Sequence, residues 1–139
     1  MNRVIKFRAW DTVRKEYLSG GELLLAIQPG CRPETTKIYL DVLKDPDTYK
    51  NRFIFEQYTG LTDKNGKMIF EGDIFRTTFP DCMAVVTWDT GCARFIGYTS
   101  ESERRIVYVD RVDKHNKSAI EVIGNVHDDP ELIGGEPRV

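Results

Sequence analysis

Between Gln57 and Phe75 the chain reads QYTGLTDKNGKMIFEGDIF, and the glycines in it dictate what can surround them. Gly60, the Asn65-Gly66 pair and Gly72 each mark a point where the backbone turns. Glycine adopts positive φ without a steric penalty, and Asn-Gly favours the tight turn whose twist matches that of flanking strands. Asp63 and Asp73 sit where a short carboxylate accepts hydrogen bonds from turn amides, which makes them structural residues. A catalytic carboxylate needs a partner group or a metal, and no histidine is near this stretch in sequence. TDKNGK also lacks the alternating acidic ligands and distal glutamate of a calcium loop. These features predict a compact connector over 61–72. It would join an N-terminal hairpin and short-helix subdomain (1–60) to a C-terminal β subdomain (73–133), followed by a tail (134–139).

The flanking patterns have the period of strands. In VIKFRAW, Ile5, Phe7 and Ala9 fall on one face, read as the core face, with Val4, Lys6, Arg8 and Trp10 on the other. Asp11 is placed to close a turn, after which Tyr17 and Leu18 complete a hairpin. RFIFEQYTG alternates again, setting Phe53, Phe55 and Gln57 against Ile54, Glu56 and Tyr58. Further strand segments are predicted over 67–70, 73–79, 83–88, 93–98, 104–112 and 119–126, separated by polar turns. Trp88, in the apolar run AVVTW, reads as core. Residues 20–33 show no single period, while Ile38, Tyr39, Val42 and Leu43 have the spacing of a short helix stopped at Asp45-Pro46, with Thr35 and Thr36 as N-cap residues. The expected fold is mainly β with little helix. It comprises an N-terminal strand and helix part and a small C-terminal antiparallel β-barrel or sandwich.

Composition narrows the function classes. With 40% hydrophobic and 11% aromatic residues, the chain of 139 residues has the apolar surface to fold. Its net charge of −2 and pI near 5.7 provide no general attraction to phosphate backbones or anionic membranes. The charge is uneven: residues 1–70 carry 12 Lys+Arg and 9 Asp+Glu, and residues 71–139 carry 8 and 13, giving halves of +3 and −5. Halves of neighbouring copies would attract. Three cysteines without CxxC and two histidines predict no metal site and no cofactor. GxSxG, HExxH and phosphate-binding glycine loops are absent from the sequence, and Gly72 interrupts the pair Glu71 and Asp73, so an enzyme is not expected. The N-terminus has no signal-peptide core and no segment is apolar enough to span a membrane, which predicts a cytoplasmic protein.

Three blocks, IKFRAWD, QYTGLTDKNGKMIFEGDIF and EVIGNVHDDPEL, occur in that order, and together they resemble the YopX family of phage and prophage proteins. The resemblance runs from about Ile5 to Leu132 and implies a β-rich, oligomer-forming, phage-encoded protein without assigned catalytic residues. The resulting expectation is a non-enzymatic homo-oligomeric interaction module that engages a host or phage protein. Lys6, Arg8, Trp10 and Tyr58 are the candidate interaction surface. The alternative is a β-barrel that binds single-stranded nucleic acid through aromatics and the basic group Lys6, Arg8, Arg14 and Lys15.

Overall fold

The computed structural model describes residues 4–19, 52–78, 81–99 and 105–134. The helix expected after residue 34 and the aperiodic segment 20–33 lie outside the described residues. The fold is mainly β, built of antiparallel sheets that include a curled half-barrel. The strands are β1 (Phe7–Asp11), β2 (Glu16–Tyr17), β3 (Phe53–Thr62), β4 (Met68–Phe70), β5 (Asp73–Thr78), β6 (Asp81–Asp89), β7 (Arg94–Tyr98), β8 (Ile106–Tyr108) and β9 (Ile120–Asn125). A 3-10 turn, Pro130–Ile133, packs against β6.

Two compact units divide the chain, Phe7–Glu56 and Met1–Lys6 with Gln57–Val139. The boundary therefore falls inside β3, ahead of the expected connector, and all of 61–72 belongs to the larger unit. In the smaller unit, β1 and β2 form a hairpin with Trp10 opposite Tyr17 and Asp11 opposite Glu16. The Asp11 carboxylate closes its turn by accepting from the amides of Val13 and Arg14 at 2.9 and 3.2 Å. Lys15 completes the turn at φ 58°, a left-handed position unusual for a side chain of this size.

The face assignment of β1 needs correction. Ile5 and Phe7 are exposed, whereas Ala9, Trp10 and Asp11 are all buried. Alternation fails because Trp10 stacks edge-on against Tyr17 at 5.0 Å and Asp11 is drawn inward by Arg52. Both faces of the strand end are thereby covered, and a period of two cannot express that.

In the larger unit, the five-stranded sheet has the order β8-β7-β6-β5-β9 with every neighbour antiparallel. Phe75 lies opposite both Ala84 and Val122, and Gly97 opposite both Val86 and Val107. Directly opposed residues share a face, so these positions define the core side, where Ile69, Val109 and Ile120 join them. A bulge inserts Ile123 of β9 between the pairs Ile74–Gly124 and Phe75–Val122, and Ile74 and Phe75, on opposite faces of β5, are both buried. Trp88 occupies the core side too, with Phe95 edge-on at 4.9 Å, but at the end of β6 it remains 40% exposed. It is a rim residue rather than the core residue its apolar neighbours suggest.

Gly97 is required by packing. A Cβ there would lie 2.7 Å from Phe75 Cε1 and closer still to Cζ, and the Phe75 ring is fully buried. Gly97→Ala is expected to destabilise the protein by about 1–3 kcal/mol through overpacking, read as a lowered midpoint in urea.

Candidate functional site

The stretch from Gln57 to Phe75 is fastened within the larger unit by its own polar groups. Asp63 is buried, and its Oδ1 accepts from the amides of Asn65 and Lys67 at 2.8 and 2.9 Å. Its Oδ2 accepts from the amide of Val122 in β9 at 3.0 Å, and Lys64 donates its amide to the Ile120 carbonyl at 3.0 Å. The loop thus covers the outer edge of β9, using one carboxylate to hold its own turn and the sheet together. Burial pushes the Asp63 carboxyl up, yet the amides of Val122, Lys67 and Asn65 outweigh it and hold the group below the usual carboxylate range.

Glycine conformations match these contacts. Gly66 lies at φ 81° and donates its amide to the Asp63 carbonyl at 3.0 Å; Gly60 and Gly72 lie at φ 89° and 79°. Gly72 donates to Val86 and accepts from Val126, both at 2.9 Å, joining β6 to the end of β9. Asp73 is buried and its Oδ2 accepts from the Phe70 amide at 2.8 Å, while Glu71 Oε1 accepts from the Gln57 amide at 2.9 Å. The two carboxylates on either side of Gly72 thus serve different amides. Gly66→Val is expected to cost about 1–3 kcal/mol because a β-branched side chain is strained at positive φ. Thermal melting indistinguishable from that of the wild type would contradict the turn assignment.

The members of the expected interaction surface differ in exposure. Trp10 is 5% exposed and Tyr58 is buried against Phe70, with ring centroids 5.5 Å apart. Arg8 is half-buried, bonding Glu56 through Nε at 3.1 Å and lying 4.4 Å above the Tyr17 ring. Of the four, Lys6 alone is exposed. The aromatics serve packing, and the Arg8 charge is matched by Glu56, which also accepts from the Tyr17 hydroxyl at 2.8 Å.

Among the exposed apolar side chains are two on β8 that sequence reasoning passed over. Ile106 and Tyr108 of β8 are 49% and 50% exposed. They alternate with buried Val107, so they share the sheet face opposite the core. Arg94 of β7 lies 4.7 Å above the Tyr108 ring. The signal was present in the alternation of IVY, but the sequence does not show that this strand ends a sheet. Among the described residues, no three His, Cys, Asp or Glu side chains converge as metal ligands, and no helix is long and apolar enough to cross a membrane.

With this geometry in view, comparison with known proteins is informative. The YopX protein family model matches residues 6–134, and the chain belongs to the YopX family. Among solved structures, protein EF1440 from Enterococcus faecalis is similar, with a TM-score of 0.55 at 26% identity over 95% of this chain and 99% of that one. None of the curated proteins matches the chain.

Proposed function

We propose that this YopX-family chain is a non-enzymatic interaction module, phage- or prophage-encoded and acting in the host cytoplasm, that self-associates and presents its assembled surface to a host or phage protein. The observation that supports this reading is the pair of half-exposed apolar side chains, Ile106 and Tyr108, on β8, the last strand of its sheet among the described residues. Large apolar side chains left at a sheet end are the usual anchors of protein contacts. The carboxylates of the central stretch support the same reading, because Asp63, Glu71 and Asp73 each hold backbone amides.

Light scattering at micromolar concentration in low salt tests the proposal. The expected mass is a multiple of 16.0 kDa, and a monomer would overturn it. The nucleic-acid reading draws on the exposed Tyr108 with Arg94 stacked over it, the pairing of ring and guanidinium that single strands stack upon. It predicts a gel shift with single-stranded oligonucleotides that weakens steeply with salt.

A further inference from the structure

We propose that β8 is the contact between copies: two chains pair their β8 strands antiparallel about a two-fold axis through Val107, joining two five-stranded sheets into one. The inference rests on the self-association proposed above and names its surface.

The phase of hydrogen bonding along β8 carries the argument. Thr99 donates its amide to the Arg105 carbonyl at 3.0 Å, and Gly97 lies opposite Val107. Odd-numbered residues therefore direct their backbone groups toward β7. In an antiparallel ladder the intervening residues direct theirs away, so the amides and carbonyls of Ile106 and Tyr108 point outward from the sheet. At the opposite edge, the Asp63 loop occupies β9 through Ile120 and Val122. Among the described residues, no such cover is seen on β8.

A second copy fits this edge better than an arbitrary strand because the edge is self-complementary. A two-fold axis perpendicular to the sheet keeps each face continuous, and centred on Val107 it sets Ile106 of each chain opposite Tyr108 of the other. The outward donors and acceptors of these two residues then satisfy one another. Their exposed side chains meet as aromatic and β-branched cross-strand pairs, a favourable combination.

Two variants test the register. Ile106→Pro removes one outward amide and leaves the bonds to β7 intact, as edge strands allow. The expected result is a chain with native circular dichroism and a lower oligomer mass; unfolding would overturn the assigned phase. Val107→Cys, made with Cys31, Cys82 and Cys92 replaced by serine, should form a disulfide-linked dimer under mild oxidation. Opposed residues at such an axis have Cα atoms about 4.5 Å apart, within disulfide reach. Ile123→Cys in the same background should not cross-link. If the wild type is oligomeric, but Ile106→Pro keeps its mass and Val107→Cys stays uncrosslinked, the β8 contact is wrong and self-association stands. A monomeric wild type overturns both.

Discussion

Arg52→Ala is expected to destabilise the chain by about 3–5 kcal/mol, the range for stranding one member of a buried ion pair. Arg52 donates through Nε to Asp11 Oδ1 at 3.0 Å and through Nη2 to Oδ2 at 2.9 Å, a two-pronged contact in which both side chains are almost wholly enclosed. Removal of the guanidinium leaves a carboxylate with turn amides on one oxygen and its principal cation gone. Asp11→Ala should cost as much, because it strands Arg52 and frees the amides of Val13 and Arg14. Urea unfolding checks both variants, and a loss below about 1 kcal/mol would show the pair to be solvated, as surface pairs are.

Asp63→Ala is expected to cost about 2–4 kcal/mol. The amides of Asn65 and Lys67 lie in an exposed turn and can turn to water, but the Val122 amide is buried beneath the loop and would lose its acceptor. Hydrogen exchange at Val122 should accelerate more than at Phe75. Acid should reproduce the defect. Burial pushes the Asp11 carboxyl up, but Arg52 and the amides of Arg14 and Val13 bring it below the usual value of 3.8, and Asp63 is lowered likewise. A carboxyl with a lowered folded pKa binds its proton more tightly in the unfolded chain. Its stabilisation is therefore complete above about 3.8 and is lost as pH falls through the folded value. Denaturant midpoints should fall over that interval, and less so in Asp63→Asn, which has already lost its share. A midpoint independent of pH there would contradict the assignment of both carboxylates.

These residues also show how far the sequence could be read. The strands from 67 onward were legible because alternation and turn residues agree; those from Asp73 on form the five-stranded antiparallel sheet, while β4 pairs with β3. The turns at Gly66 and Gly72 announced themselves because positive φ has a residue signature, whereas Gly60, expected to turn, takes its positive φ inside β3 where the register with β4 shifts. Asp63 could be read as a turn acceptor through Asn65 and Lys67, but its bond to Val122, 59 residues away, leaves no local trace. The bond from Arg52 to Asp11 spans 41 residues and is equally silent, and it is what upset the assignment of β1 faces. The division of the compact units within β3 leaves no local trace either, because periodicity runs through a strand unchanged when its two halves belong to different units. Strand order was out of reach too, and with it the identification of β8 as an edge.

The proposed self-association draws on buried apolar surface rather than on the opposed charges of the two halves. Exposed ion pairs contribute about 0–1 kcal/mol each and are screened by salt, whereas apolar contacts are not. Sedimentation equilibrium of the wild-type chain in low salt and again in about 0.5 M salt, where the Debye length is well under 10 Å, decides between them. The account predicts the same oligomer mass in both, a multiple of 16.0 kDa. A 16.0 kDa species in low salt, or dissociation to it as salt is raised, would contradict the account.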